Sequence, residues 1–341
     1  MAVTRNTTFT LVDYSDEIEL LPKVWSLVSG MNLFEADYIP STVAQLERVK
    51  EISDLFSARK RGGDRNQTGS EDAETKNLNV PFFPLDKTIT AGDIQNFREY
   101  GSGNESKTLL TQVARVMARI KRQHAQLREK AMAEAIQGRS YLGEGGAGTL
   151  YNYYTLWGLT QDTANVDFTD LTTDPAAVLE AQARRVIIRK AQDGSDSNAA
   201  YSVVSICGSE WFSAFIAHPL VTEAYAMYAS SQEPLRRRLG MGAEENSVRV
   251  FKHKGITYIE DLSPNFAEGE AHIFPLAMPD MFKVFYGPMD DAKAANMAGK
   301  ELYLLYKEDE FNRQYKIESE TSILCANTRP ELVIKSTGTF A

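Results

Sequence analysis

Hydrophobic residues between residues 106 and 137 recur at the spacing of a helix. After the adjacent Leu109 and Leu110, the apolar residues Val113, Met117, Ile120, Leu127 and Ala131 follow at three- or four-residue steps, with one gap of seven. Ser106 can cap the start of this helix and Gly138 can end it. About 30 residues at a rise of 1.5 Å give a helix of about 45 Å. Such a helix is long for a compact domain and predicts an extended subunit built along a spine.

The second half of the chain alternates between helical and strand-like patterns. Asp174 and Pro175 begin a predicted helix that runs to about Lys190, with Asp174 as the N-cap. The remaining predicted elements are a strand at 201–207, helices at 209–217 and 220–230 separated by Pro219, a hairpin at 249–260 around Lys254-Gly255, strand-like runs at 271–286 and 314–327, and a closing strand at 331–336. Residues 138–158 are rich in Gly and Tyr and predict a further hairpin. This mixture is typical of the α+β class.

The first hundred residues have a different texture. Residues 1–35 resemble an arm, with Trp25, Leu27, Val28, Leu33 and Phe34 as possible anchors. Residues 36–105 predict a long excursion with a first limb at 38–56, a charged Gly-containing middle at 59–64, and a second limb at 78–97. In the first limb, Val43, Leu46, Val49, Ile52 and Phe56 fall three or four apart, and this period by itself predicts a helix.

Composition and charge narrow the class of protein. The chain has 341 residues, 43% apolar and 24% charged, which suits a globular protein with one or two domains. A net charge of −9 argues against sequence-specific nucleic-acid binding as the main role and favours soluble free subunits. The two cysteines, Cys207 and Cys325, are expected to be buried thiols in a reducing cytoplasm. We expect neither a signal peptide nor a membrane span.

Candidate chemistry is sparse. The Gly-rich segment 143–148 lacks the Gly-Lys-Ser/Thr ending of a phosphate loop and predicts a flexible turn. No two of the four histidines, His124, His218, His253 and His272, have the spacing of a metal-binding pair, and His124 is expected to be a packed side chain. Burial on an apolar strand should raise the pKa of Cys207 and make it unreactive. The sequence therefore predicts no enzymatic activity, no metal and no cofactor.

Three basic clusters remain. They comprise Arg59-Lys60-Arg61, then Arg184-Arg185 with Arg189-Lys190, and finally Arg236-Arg237-Arg238. Each is most simply a solvated surface. The first alternative is contact with acidic patches on neighbouring copies, and the second is contact with DNA, for which aromatic residues between the basic ones are lacking.

The order of elements resembles the lambda-type major capsid proteins of tailed phages, the capsid E family. Arg61-Gly62-Gly63 resembles the Arg-Gly-Gly of that family's extended loop. The segment 135–141 resembles its helix end, Lys252 to Ile256 its Lys-Gly hairpin, and 280–288 and 316–324 its late strands.

The resemblance implies a Hong Kong-type phage capsid fold of class α+β. It implies an N-terminal arm at 1–35, an extended loop at 36–105, a peripheral domain at 106–200, an axial domain at 201–309 and return strands at 310–341. It also implies that the first limb is extended, in contrast to its helical period. The candidate inter-subunit contacts are Arg59, Lys60, Arg61, Gly62 and Gly63 in the extended loop and, from their charge alone, Arg236, Arg237 and Arg238.

The function implied is an icosahedral head shell that encloses double-stranded DNA. The implied partners are further copies of the chain in hexamers and pentamers, scaffold and portal proteins, a decoration protein, and packaged DNA in non-specific contact. Assembly is expected in the host cytoplasm, and the product is the virion. The alternatives are a shell around a protein cargo, a tail or connector protein, and a hydrolase with a spatially assembled site.

Overall fold

The computed structural model describes residues 27–50, 72–93, 109–142, 149–188, 202–227, 249–276, 278–292, 296–309 and 313–340. The helices are α1 (Leu27–Gly30), α2 (Leu109–Ile136), α3 (Tyr153–Leu156), α4 (Pro175–Ala183), continued by a π-helical turn (Arg184–Ile188), α5 (Ser209–Ala217) and α6 (219–227). The strands are β1 (Glu35–Tyr38), β2 (Val43–Lys50), β3 (Asp72–Asn79), β4 (Phe82–Thr90), β5 (Asp162–Asp167), β6 (Val203–Gly208), β7 (Val250–His253), β8 (Ile256–Asp261), β9 (Glu270–Pro275), β10 (Phe282–Tyr286), β11 (Tyr303–Glu308), β12 (Gln314–Asn327) and β13 (Ile334–Thr339). Short 3-10 turns lie at Ala91–Asp93 and Pro330–Leu332. The predicted α+β class is confirmed.

The first sheet has five strands and is organised around the long strand β12. Its order is β1-β10-β12-β11, and β4 also pairs with β12. Strand β1 runs parallel to β10, whereas the other pairs are antiparallel. Helix α2 packs on one face of this sheet, where Ile89 and Ile317 contact Val113, Met117 and Ile120. This helix and sheet form one layered body.

The predicted long helix is confirmed as α2, and the predicted cap Ser106 lies outside the described residues. Gly138 follows the helix with a φ of +84°, a conformation that favours glycine. Near its C-terminal end the helix is buried around most of its circumference, at Ala131, Met132, Ala133, Ala135 and Ile136. That end of the helix therefore lies inside the molecule and not on its surface.

The second sheet has six strands in the order β5-β13-β9-β6-β8-β7. Aromatic residues fill the core beside it, and they are Trp211, Phe212, Phe215, Phe251 and Tyr258. The predicted N-cap is confirmed, because the Asp174 carboxylate accepts a hydrogen bond of 2.9 Å from the Ala176 amide. The predicted hairpin is confirmed as β7 and β8, joined through Lys254 (φ +47°) and Gly255 (φ +80°). These two left-handed residues match a tight hairpin turn.

The first limb of the excursion is a strand, so the helix that its period predicted is wrong. Strand β2 pairs antiparallel with β3 in a separate two-stranded sheet. Ala44 and Leu46 are buried, whereas Val43, Gln45 and Glu47 between them are exposed. Burial thus follows the period of two that a strand requires. The extended course that the family resemblance implied is confirmed for this part of the loop.

Polar residues between 72 and 77 also belong to a strand, although their composition predicted a connecting loop. They form β3, whose outer side is in contact with solvent and tolerates polar side chains. Three further strands, β1, β5 and β11, were not predicted. The strand-like run at 271–286 splits into β9 and β10, which belong to different sheets.

The strands within residues 201–309 do not all belong to one sheet. Strands β10 and β11 lie within this range but pair with β12, whereas β5 and β13 lie outside it but belong to the six-stranded sheet. The hairpin predicted at 138–158 has a single bridge, between Arg139 and Asn152, followed by α3. Its Gly-rich turn at 143–148 lies outside the described residues.

Candidate assembly surfaces

The β2–β3 hairpin rests on the body through its inner face. Arg48 donates to the Glu331 carboxylate over 2.6 Å, with only 20% and 10% of the two side chains exposed. The Arg48 guanidinium also lies 5.8 Å from the centre of the Trp157 ring. On β3, the Asn79 amide donates to the Tyr151 hydroxyl over 2.8 Å. These contacts hold the hairpin against the body at two separated points.

The two faces of this hairpin differ in character. Its inner face buries Ala44, Leu46 and Leu78 in the central core. Among the described side chains its outer face is polar, except for Val43 (39% exposed), whose partner in the register, Asn79, lies three positions before the exposed Phe82 (41%). The outer face is therefore accessible to another molecule.

The end of the N-terminal arm is fixed on the long helix by Glu129. Its carboxylate accepts hydrogen bonds from the amides of Val28 (2.7 Å) and Ser29 (3.0 Å), and from the Ser29 hydroxyl (2.7 Å). Amides in the first turn of a helix have no partner within that helix, so the carboxylate satisfies two of those of α1. Of the predicted arm anchors, Val28 is buried and Leu27, Leu33 and Phe34 pack against the core, whereas Trp25 lies outside the described residues.

A second polar contact fixes β1, immediately after the arm. Arg128 donates to Glu301 over 2.9 Å, and the Tyr38 hydroxyl donates to the same carboxylate over 3.3 Å. The Tyr38 ring stacks on that of Tyr286, with centres 5.4 Å apart. Burial, followed by the negative charge of Glu301, raises the pKa of Tyr38. The consecutive helix residues Arg128 and Glu129 thus fix the segment from Val28 to Tyr38 near both of its ends, Glu129 directly and Arg128 through Glu301.

Two groups of types that can support catalysis, Cys207 and His272, are buried and have strongly shifted pKa values. Burial raises the pKa of Cys207 to about 12 and lowers that of His272 to about 3. His124 is packed as expected, with Nε2 2.9 Å from the Ser319 hydroxyl. Among the described residues, no group of three His, Cys, Asp or Glu side chains could hold a metal ion. Within the same residues, no helix is both long and apolar enough to cross a membrane.

The predicted contact residues Arg59, Lys60, Arg61, Gly62, Gly63, Arg236, Arg237 and Arg238 lie outside the described residues, so their role stays a prediction. Arg184 of the remaining basic cluster is 72% exposed and pairs with Glu180 over 2.9 Å.

The sequence analysis missed Glu129, the Arg128–Glu301 pair and the Arg48–Glu331 pair. One signal was available for Glu129. It is the first acidic residue of the long helix, after 20 helical residues without Asp or Glu. The partners of the other two pairs are 173 and 283 positions apart, and no local pattern connects them.

Comparison with known proteins identifies a family and several relatives with similar sequences. Residues 10–337 match the family described as phage major capsid protein E. The chain is 29% identical over 343 residues to the major capsid protein of Pseudomonas phage KPP10, with 96% of each chain covered. It is 23% identical over 360 residues to the major capsid protein of Salmonella phage Felix O1, covering 96% of this chain and 95% of the relative.

Two solved structures show the same fold. The mature capsid of bacteriophage PhiM1 superposes with a TM-score of 0.56 at 14% identity, covering 94% of this chain and 89% of the other. The capsid of Ralstonia phage GP4 has a TM-score of 0.50 at 12% identity, with coverages of 90% and 86%. The predicted phage capsid fold is confirmed, and the family match over nearly the whole chain is decisive: this protein belongs to the phage major capsid protein E family.

Proposed function

We propose that this chain is the structural subunit that assembles with copies of itself into the icosahedral head shell of a tailed phage, enclosing double-stranded DNA. The observation that carries this proposal is the family match over residues 10–337. Both curated relatives are named major capsid proteins, and each aligns with 96% of this chain.

The described contacts suit such a role. The hairpin is tied to its own body on one face and presents a polar face on the other, so a neighbouring copy can cover it. The Glu129 carboxylate fixes Val28 and Ser29, where the described part of the chain begins, on the long helix. Contacts of moderate strength are sufficient, because repetition around a closed ring multiplies them.

The finer features of assembly belong to the same proposal. Hexamers and pentamers would form the shell in the host cytoplasm, with scaffold, portal and decoration proteins as partners. The peripheral domain would contain the five-stranded sheet with α2, and the axial domain the six-stranded sheet. Residues 59–63 and 236–238 would contact neighbouring copies, since an acidic protein offers acidic surfaces to basic segments. We assign the chain neither a catalytic role nor a cofactor.

Negative-stain microscopy of the expressed protein, with and without its scaffold, tests the proposal. Closed shells, and tailed particles with DNA when the other phage proteins are present, are the expected result. Open rings or tubes would indicate a tail or connector protein. Small shells filled with protein would indicate a cargo compartment. A subunit that stays monomeric at every concentration, with or without helper proteins, would overturn the proposal.

A further inference from the structure

The first 20 residues of helix α2 are strongly basic, although the protein as a whole is acidic. Between positions 109 and 128 the sequence has five basic residues and no Asp or Glu, whereas the whole chain carries a net charge of −9. A local excess of this size on an acidic protein is not explained by the packing of the helix, because the core contacts are apolar.

Three of the five basic residues lie on one exposed face. Arg115, Arg119 and Arg122 are exposed and are separated by four and three positions, so they lie in a line along the helix. The line is about 10 Å long at 1.5 Å per residue. Gln126 is also exposed and continues it by one turn. We call Arg115, Arg119, Arg122 and Gln126 the basic stripe.

The opposite side of the layered body carries acidic and basic side chains that pair with one another. In β12, Ile317 packs towards α2 and Ser319 contacts His124 of that helix, so the alternating Glu318 and Glu320 lie on the far face of the sheet. Asp86 of β4 is directly opposite Glu318 in the register, and Lys316 on the same face pairs with both carboxylates. Burial and the neighbouring carboxylates raise the pKa of Glu320. One layer of helix and sheet thus separates a surface with unbalanced positive charge from one on which a lysine pairs with the carboxylates.

We propose that the basic stripe binds the phosphate backbone of packaged duplex DNA without regard to sequence, and that the α2 side of the subunit therefore faces the interior of the shell. This inference rests on the proposed function, which supplies DNA as the polyanion. Guanidinium groups match phosphate oxygens in geometry, and the exposed Ala114 beside the stripe leaves room for a backbone to approach. The far face has no comparable excess of positive charge, because Lys316 pairs with Asp86 and Glu318, so contact is confined to the α2 side.

A duplex fits the stripe better than a protein does. A docked helix or strand needs apolar or aromatic anchors for most of its binding energy, and the stripe consists of arginine and glutamine. The stripe also lacks aromatic side chains on which unstacked bases could lie, which favours a duplex over a single strand. Weak contacts are sufficient, because the DNA in a filled head is held at high local concentration.

The salt dependence of DNA binding tests the stripe. Dissociated full-length subunits are titrated with a short fluorescent duplex of mixed sequence at a series of salt concentrations. The double variant Arg119→Gln/Arg122→Gln should bind more weakly, and its log–log slope against salt should be smaller by about 1.8, at about 0.9 for each phosphate that the variant no longer neutralises. An unchanged slope would overturn the proposal.

The matched control is Lys252→Gln/Lys300→Gln, which removes the same charge from two other exposed positions. This control variant should bind DNA with the same salt slope as the wild type. A decrease in slope equal to that of the stripe variant would show that only net charge matters and would overturn the proposal. Tighter binding of an acidic polypeptide than of a duplex of equal charge would also overturn it, in favour of a protein partner.

Closed shells test the orientation. Duplex is added to intact shells from outside. Wild-type shells and shells of the Arg119→Gln/Arg122→Gln variant should bind it equally, although the dissociated subunits differ. Stronger binding to the wild-type shells would place the stripe outside and contradict the inference. Shell formation itself is read by microscopy, so failure of the shell proposal is recognised separately from failure of the stripe.

Discussion

Arg48 on the hairpin and Glu331 beside the last strand form a 2.6 Å ion pair, although 283 positions separate them in the sequence. The pair joins the projecting hairpin to the body. In the variant Arg48→Met, the mostly buried Glu331 carboxylate would keep, among the described residues, the Nε of Arg329 at 3.6 Å as its ion-pair partner. We expect the free energy of unfolding to fall by about 1.5–3 kcal/mol, the usual contribution of a hydrogen bond to a charged group. Urea unfolding of the free subunit measures this.

Lys76→Met is the matched control, because Lys76 pairs with Glu74 on the same hairpin but both side chains are more exposed, at 33% and 48%. An exposed pair contributes about 0–1 kcal/mol, so this variant should unfold almost like the wild type. Equal losses in the two variants would show that the Arg48 pair has no special role. Microscopy of both variants tests whether the position of the hairpin matters for shell formation.

Gly138 couples the end of the long helix to the ring of Tyr154. A Cβ atom at this position would lie 2.2 Å from Cε2 of Tyr154, and the φ of +84° is itself unfavourable for alanine. Gly138→Ala should lower the free energy of unfolding by about 1–2 kcal/mol for the left-handed backbone and by about 1–3 kcal/mol for overpacking. Thermal and urea unfolding of the subunit measure the sum.

Gly255→Ala separates these two effects. Gly255 has a similar φ of +80°, but no atom lies within 4 Å of a Cβ built there. It should therefore show the backbone cost alone. If the two variants are equally destabilised, the Tyr154 ring moves aside without cost and the close approach is not a constraint.

The sequence predicted correctly those elements whose apolar residues recur at the period of the helix or strand that they form, or whose ends carry a capping residue. Helix α2 carries a regular apolar face in its N-terminal part, and the capped helix after Asp174 is marked by local chemistry. Strand β3 could not be found in this way, because a hairpin buried on one side keeps polar residues on the other and has few apolar positions. Val43 was misleading, since it fits the helical period but is exposed on the outer face of β2.

The assembly surfaces were less accessible to prediction for a different reason. Glu129 acts on Val28, which is 101 positions earlier, and Arg128 acts on Glu301. A sequence pattern can mark a polar residue in an unusual place, but it does not name the partner, which only the folded chain brings near. The sequence shows the arginines of the long helix. It does not show which of them are exposed, because that depends on which face of the helix the sheet covers.

Stability should fall with acidification because of His272. Burial, reinforced by the charges of Lys335 and Arg139, lowers its pKa from 6.5 to about 3. Glu270 is 3.9 Å from its Nε2, too far for a hydrogen bond, and the low pKa keeps the ring neutral in the fold. Below pH 6.5 the unfolded chain takes up a proton that the folded chain does not. The stabilisation is therefore complete above this pH and is lost progressively down to about pH 3.

Each pH unit inside this window costs up to about 1.4 kcal/mol for one such group. Urea unfolding at several pH values should show the slope, and His272→Met should make it shallower. His253→Met is the control, because His253 is more exposed and its pKa is less strongly lowered. A slope that His272→Met leaves unchanged would assign the acid sensitivity to other groups.

The two cysteines should report unfolding. Burial raises the pKa of Cys207 to about 12 and also raises that of Cys325, so the reactive thiolate is scarce and shielded in the folded chain. A colourless thiol reagent that releases a dye should react negligibly with the native subunit at mildly alkaline pH and with two thiols after denaturation. Lys252→Cys, at an exposed position, should react at once and serves as the positive control. Rapid native labelling in the wild type would contradict the burial.

Charge reversal in the loop tests whether the Arg59-Lys60-Arg61 segment contacts a neighbouring copy. The triple change to Glu should impair shell formation while leaving the free subunit as stable as the wild type, since a solvated segment contributes little to folding and a contact between unlike charges becomes one between like charges. Sedimentation and microscopy measure assembly, and urea unfolding measures the subunit. Reversal of Lys87, Lys252 and Lys300, which are exposed elsewhere, makes the same change in net charge and should assemble. Raised salt should reduce the difference between the two variants, because it screens exposed charges. Normal shells from the loop variant would show that this segment is only a solvated surface.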